Sequence, residues 1–306
     1  MLISFIITYY NEPLWMLKEC VQSVLDLCTD VEREIIVIDD GSLVSPELEL
    51  LKMHGDIKVI RQENKGLSAA RNLGLKYAQG CYIQFIDADD ALLPSYRSVL
   101  SLIKPEKQSF GKAEPPSVVQ FRFNRRRNSQ GLNDKEQHFS KNLAVFSGTR
   151  YLETHNLNQA VCSYVFRRDS LGDLRFEEGI LHEDELFTPQ LFVRAKQVIQ
   201  LDAKAYFYRQ RKGSITTSAT SSDIKKRLDD TEHILLTLKE LCTQHRPLNR
   251  RVNQLTMDYI YNMFQLNSCE KYSRFSRLKQ SGLLPLPLMT YTWKYYFFAL
   301  LTRIMP

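Results

Sequence analysis

The stretch Cys81–Asp90, C-Y-I-Q-F-I-D-A-D-D, limits the fold more than any other part of the chain. A short apolar run (Tyr82, Ile83, Phe85, Ile86) follows Gly80 and ends in three carboxylates, Asp87, Asp89 and Asp90. Its length, apolar content and bounding glycine read as a buried strand. A strand that ends in acids delivers them to the carboxyl edge of its sheet, where open α/β sheets bind ligands. Alternation puts Asp87 and Asp89 on one side, about 7 Å apart. Two hard oxygen ligands so spaced can hold a divalent cation, and the cation a diphosphate. Taken alone, the same residues would also suit a solvated acidic turn.

The surrounding sequence argues against that plainer reading. Leu2–Thr8 is a first apolar strand, followed by a helix with Leu14, Leu17, Val21, Val24 and Cys28 at threes and fours. Glu34–Asp40 is a second strand ending in acids. Pro46 then opens a helix with Leu48, Leu51 and Leu50 inward. Ile57–Arg61 is a third strand. Gly66–Gln79 is a helix packing through Leu67, Ala70, Leu73, Gly74 and Tyr77. This β-α alternation predicts a mostly parallel sheet covered on both faces. Tyr10-Asn11-Glu12, Asp39-Asp40 and Asp87-Asp89-Asp90 then converge on one edge. Tyr9, of opposite parity to Tyr10, is read as packing.

Composition is that of an ordinary globular chain, 43% hydrophobic and 25% charged. The net charge of +6 suits an anionic ligand or membrane face and does not by itself argue for nucleic acid. Six scattered cysteines without a C-x-x-C pair point to a reducing compartment and not to a zinc site. The first apolar run is too short for a signal h-region, so a cytoplasmic location is expected.

Four pieces, S-F-I-I-T-Y-Y-N-E, E-I-I-V-I-D-D-G-S, N-K-G-L-S-A-A-R-N-L-G and Y-I-Q-F-I-D-A-D-D-A-L-L-P, stand in this order. Together they resemble the family 2 glycosyltransferases, inverting nucleotide-sugar enzymes of the GT-A fold. The resemblance is strong over about 1–100, looser to about 215 and absent beyond. It implies a GT-A domain over 1–215, with a nucleotide-binding half (about 1–100) and an acceptor half (about 101–215). It further implies that Thr8, Tyr10 and Glu12 line the base and ribose pocket and that Asp40, with Asp39 beside it, recognises the base. Lys65 and Arg71, at the start of a helix, would contact the donor. Asp87 and Asp89 match the family's D-x-D, with Asp89 ligating Mn²⁺ or Mg²⁺ and Asp87 touching ribose or metal. Asp90 would hydrogen-bond behind them or orient the next helix. His182-Glu183-Asp184 resembles the family's E-D motif, which makes Asp184 the general base, Glu183 its competitor and His182 an orienter or acceptor contact. An acidic first helical turn is the alternative for those three.

The rest of the chain is less informative. Ser117–Asn124 alternates and reads as a strand, and Arg125–Arg127 as a solvated loop or a contact to a phosphate-bearing acceptor. Gly148–His155 reads as a short helix, and Val161–Arg168 as a strand or helix. Tyr206–Thr216 reads as a basic loop in which Arg209 and Arg211 face the diphosphate or an acceptor phosphate. The Q-x-x-R-W helix of processive members is absent, which favours transfer of one or a few sugars. Asp223–Cys242 and Leu248–Asn267 read as two helices of an extension over 216–270.

Residues 271–306 combine Lys271, Arg274, Arg277 and Lys279 with an aromatic run from Trp293 to Phe298, and contain no acid. No 18-residue apolar run is present, so the segment suits the membrane interface, or a helix buried on the domain or in a dimer. The expected activity is inverting transfer from a nucleoside diphosphate sugar, UDP favoured, to a glycan or lipid-linked acceptor in surface polysaccharide assembly. A nucleotidyltransferase would need a G-x-G-x-T-R-type loop after strand one, where T-Y-Y-N-E stands instead. A non-catalytic scaffold of the same fold is the remaining alternative.

Overall fold

A computed structural model describes residues 1–104, 114–126, 143–211 and 221–304. Four parallel strands form one half of the sheet: β1 (Ile3–Tyr9), β2 (Arg33–Asp39), β3 (Ile57–Arg61) and β4 (Tyr82–Asp87). β1 is central, with Ile6 beside Ile36 on one side and beside Phe85 on the other. All seven β1 residues are buried, because both faces of this half are covered. On one face lies α1 (Leu14–Leu27) and on the other α3 (Leu67–Tyr77). A Cβ on Gly74 would come within 2.3 Å of Ile6 Cγ2, so α3 lies flush on β1 only because that side chain is missing.

Two packing expectations need correction. In α2 (Glu47–Leu51) only Leu50 is buried; Leu48 and Leu51 face solvent, because five residues make too short a helix to turn three leucines inward. In α3 Tyr77 is exposed, and Leu75 packs inward instead.

Beyond β4 the sheet becomes mixed. β8 (Tyr164–Arg167) runs antiparallel to β4, β6 (Val118–Arg126) antiparallel to β8, and β9 (Val198–Arg209) parallel to β6. A two-residue strand, β5 (Ala91–Leu92), pairs antiparallel with β9. Another, β7 (Val145–Phe146), also pairs with β9. The spatial order is β3-β2-β1-β4-β8-β6-β9-β5. Tyr206–Arg209 is therefore the end of a strand, which corrects the loop expected there. Burial alternates along Gln200–Ala205, with Gln200, Asp202 and Lys204 outward. Residues 212–216 and Arg127 lie outside the described residues.

α4 (Tyr96–Ile103) and α5 (Gly148–Thr154) flank the sheet, and α6 (Glu183–Arg194) carries the E-D motif. The extension is helical: α7 (Ser221–Leu241), α8 (Asn249–Met263), α9 (Ser268–Gln280) and α10 (Trp293–Ile304). α8 stops at Met263, short of Asn267. The basic stretch after it is a helix of its own, whose Arg274 and Arg277 pair with Asp229 and Glu232 of α7. One apolar cluster runs from Leu186 of α6 through α7, α8 and α9 to Tyr295, Phe298 and Ala299 of α10. Arg251 of α8 also donates to Glu185 of α6 through Nε at 2.9 Å. The extension thus packs on the helix that carries the motif. All six cysteines are free thiols, and burial pushes those of Cys20 and Cys162 well above their ordinary value.

Candidate active site

The ends of β1 and β2 are tied together before any ligand is considered. Asn11 adopts the left-handed conformation at φ 59°; its N–H donates to Ser42 Oγ and its Oδ1 accepts from the Leu43 N–H at 2.8 Å. Thr8 is buried opposite Asp87 in the strand register, and Tyr10 is exposed at the rim. Tyr9 is buried, as its parity predicts. Glu12 folds back to accept the Tyr10 N–H at 2.7 Å. Asp39 is fully buried, accepting from the Ser42 N–H at 2.9 Å and lying 3.3 Å from Arg61. Asp40 holds the loop before α3: it accepts from the Gln62 amide at 2.6 Å and from the Lys65 and Gly66 N–H groups at 2.9 Å. The residue expected to read the base thus already uses its carboxylate three times to shape the Lys65–Gly66 loop.

At the end of β4 the three carboxylates differ in environment. Asp87 is half-buried and lies 3.2 Å from an Arg71 amino group. Asp89 accepts from Arg211 Nε at 2.5 Å; burial, followed by the charge of Asp87, raises its pKa, while Arg211 opposes the rise. Asp90 is buried and accepts from the Tyr206 hydroxyl at 2.8 Å and the Arg209 N–H at 2.7 Å. Burial, then Asp87 and Asp89, pushes its pKa well up. Asp90 therefore fastens β4 to β9, the hydrogen-bonding role behind the D-x-D that the sequence suggests.

Arg209 departs from its expected role. Its side chain is buried, pairs with Glu19 of α1, donates through Nε to the Asp89 carbonyl at 2.7 Å and stacks on Trp15 and Phe207. A guanidinium packed this way braces the D-x-D turn. Arg211 sits over the turn instead, on Asp89 and 3.4 Å from Glu12.

Across the cleft, His182 precedes α6 in the left-handed conformation at φ 63°, exposed at the rim. Glu183 is buried and paired with Arg71, which also reaches Asp87. Arg71, expected at the donor, is itself buried and joins the D-x-D to the E-D helix; its guanidinium stands over the Phe85 and Phe176 rings. Burial, then Glu183 and Glu185, pushes the Asp184 carboxyl well above the ordinary carboxylate range, against Arg71 and Arg251. That arrangement leaves one carboxylate (Glu183) held as an ion pair and its neighbour (Asp184) poised to accept a proton.

Lys65, Arg71, Asp87, His182, Glu183, Asp184 and Arg211 line one cleft of about 1270 Å³, whereas Thr8, Tyr10, Glu12, Asp39, Asp40 and Asp89 are not among its lining residues. Arg125, over Phe123 and Tyr208, lines it as well. Among the described residues, no three His, Cys, Asp or Glu groups cluster to enclose a metal ion. Asp87 and Asp89 do supply two hard oxygen donors. That set suits Mg²⁺ or Mn²⁺ completed by substrate phosphates, not a cage made wholly of protein. The sequence reading did not single out Glu19, Tyr206, Arg251 or the Asn11–Ser42 tie. Only Tyr206 had a signal, the alternation along β9 that ends beside it.

The minor teichoic acid biosynthesis protein GgaB of Bacillus subtilis is 28% identical over 248 residues, covering 78% of this chain and 26% of that protein. The glycosyltransferase GlyA of Streptococcus pneumoniae is 30% identical over 227 residues, 70% of this chain and 31% of that protein. The chain thus spans about a quarter to a third of these two relatives. The crystal structure of S. aureus TarS residues 1–349 with UDP-GlcNAc superposes with a TM-score of 0.60 at 20% identity, covering 98% of this chain and 80% of that one. The fold is the GT-A arrangement expected from the sequence. The sequence profile of glycosyl transferase family 2 matches residues 4–175, more than half of the chain, and the chain belongs to that family.

Proposed function

We propose that the protein is an inverting glycosyltransferase that moves a sugar from a nucleoside diphosphate donor, UDP favoured, to a glycan or lipid-linked acceptor in cell-surface polysaccharide assembly. The observation that carries this reading is Arg71, which ties Asp87 on the donor side to Glu183 beside Asp184 on the other. TarS structures with UDP-GlcNAc and with UDP support a UDP-sugar, and the teichoic acid relatives support a surface polymer as product. No described helix is long and apolar enough to cross a membrane, and we place the enzyme at the cytoplasmic side of one.

The chemistry follows from the residues. Thr8 and Tyr10 border the base and ribose, with Asp39 and Asp40 beneath them shaping the pocket. Lys65 and Arg211 face the diphosphate. Asp89, with Asp87, would hold Mn²⁺ or Mg²⁺, which supplies charge neutralisation for the departing diphosphate. Asp184 takes the proton from the acceptor hydroxyl as that oxygen attacks the anomeric carbon. The bond from that carbon to the phosphate oxygen breaks on the opposite face, and the configuration inverts. The raised pKa of Asp184 suits a base, because it strengthens the carboxylate as a proton acceptor. Glu183, fixed by Arg71, orients the helix turn and leaves the proton to Asp184. His182 lies on the acceptor side of the rim.

Asp184→Asn tests the assignment. The variant should bind UDP as the wild type does and release no UDP from UDP-GlcNAc. Turnover at the wild-type rate would make the base assignment wrong. A wild-type protein that binds nucleotide and never turns over any sugar donor would be a scaffold.

A further inference from the structure

α10 divides its apolar residues into two stripes. Tyr295, Phe298, Ala299 and Thr302 are buried against the extension. Trp293, Phe297, Leu300 and Ile304, spaced four, three and four apart, share the outer face. Trp293 is 85% and Ile304 81% exposed, and with Phe297 and Leu300 they form a contiguous stripe rather than scattered single side chains. The stripe widens onto the end of α8: the rings of Tyr261 and of Phe264, the residue after the helix, are both exposed and stand 6.4 Å from Phe298, which lies 5.9 Å from Phe297. Lys294 Nζ stands 4.1 Å over the Tyr261 ring, at the edge of this surface.

The charge of the same segment indicates what covers the surface. Of the chain's 41 Lys and Arg residues, six lie in 271–306 with no Asp or Glu, leaving 35 basic against 35 acidic residues in 1–270. The whole net charge of +6 therefore belongs to the segment that ends in the exposed aromatic face. Arg274 and Arg277 are matched by acids of α7, and Lys294 stands at the patch itself. An anionic surface complements that charge. A second copy docked by two-fold symmetry would bring two such segments together and repel. The 12 described residues of α10 are about 18 Å long, shorter than a ~30 Å hydrocarbon core, a length that suits lying on a bilayer.

We infer that the outer face of α10, extended by Tyr261 of α8 and Phe264 just beyond it, docks the protein onto an anionic lipid bilayer. This deepens the reading of a lipid-linked acceptor and rests on it. Exposed aromatic rings with a lysine beside one of them suit the headgroup region, where each basic residue adds to binding.

The test is co-sedimentation of the full chain with vesicles of phosphatidylcholine alone and of equimolar phosphatidylcholine and phosphatidylglycerol. The bound-to-free ratio should be at least roughly tenfold higher on the anionic vesicles and fall as salt rises. Trp293→Ser with Phe297→Ser, both on the exposed face, should lose that binding and keep the wild-type affinity for UDP. Equal binding to both vesicles, binding retained by the double variant, or no vesicle binding at all would overturn the inference. A wild-type dimer that the double variant dissolves, with no vesicle binding, would also overturn it and assign the face to a second copy. UDP binding by the same samples reports on the transferase reading separately.

Discussion

Arg211 Nε lies 2.5 Å from Asp89 Oδ2, so a side chain beyond the last strand rests on the carboxylate that the D-x-D needs for metal. The same guanidinium lies 3.4 Å from Glu12 at the nucleotide edge. A cation that partners carboxylates without a ligand is placed to turn to phosphates when a diphosphate arrives. Arg211→Gln should therefore weaken UDP binding by about tenfold, the effect of losing one charge-assisted hydrogen bond. Titration calorimetry reads it; unchanged affinity would leave Arg211 as a structural partner of Asp89 alone.

Removing Arg71 should cost stability as well as activity. Arg71→Met leaves Glu183 buried without its cation, a loss of about 3–5 kcal/mol for a broken buried pair. Lysine should restore little, because it cannot reach Glu183 and Asp87 with one planar fork. Urea unfolding of the three proteins measures the difference.

Asp184 links stability to pH with a definite sign. Its folded-state pKa is raised by burial first, so the folded protein holds that proton at pH values where the unfolded chain has lost it. Its contribution is favourable at low pH and is lost as pH rises through the folded-state pKa. Asp184→Asn should accordingly be more stable than wild type at neutral pH, with the gap closing below the ordinary carboxylate range. The transfer rate of wild type should rise with pH along an acid limb lying above that range. Thermal melts across pH, together with a kcat/KM profile, check both halves.

Tyr206 offers a test away from the substrate. Its hydroxyl donates to Asp90 and accepts from the Asp87 N–H at 3.1 Å. Tyr206→Phe leaves both groups, the buried Asp90 carboxylate and the part-buried Asp87 N–H, a partner short and should cost about 1–3 kcal/mol. Because the D-x-D turn hangs on these bonds, UDP affinity should drop along with stability.

The parallel half of the fold was legible because each strand is a short apolar run with acids or turn residues after it. Those runs fix both the sheet and the edge where the site forms. The E-D helix was legible from a motif, though its geometry was not. No periodicity reveals that Glu183 would be held by Arg71, 112 positions away. The packing of Arg209 was hidden for a related reason. A basic residue after an aromatic run looks displayed, and only the pairing of β9 with β5 turns it onto Glu19 and the Asp89 carbonyl. Composition gave the aromatic tail but not its division into buried and exposed stripes, which depends on where α7 and α8 lie.

The central claim is that the cleft binds a nucleoside diphosphate through the D-x-D. It is tested most directly by calorimetric titration of UDP, with GDP and CMP as controls, with and without Mn²⁺, on wild type and Asp89→Ala. UDP binding should need both Mn²⁺ and Asp89 and should exceed binding of GDP and CMP. UDP binding that survives in Asp89→Ala without metal, or no nucleotide binding by the wild type, would contradict it.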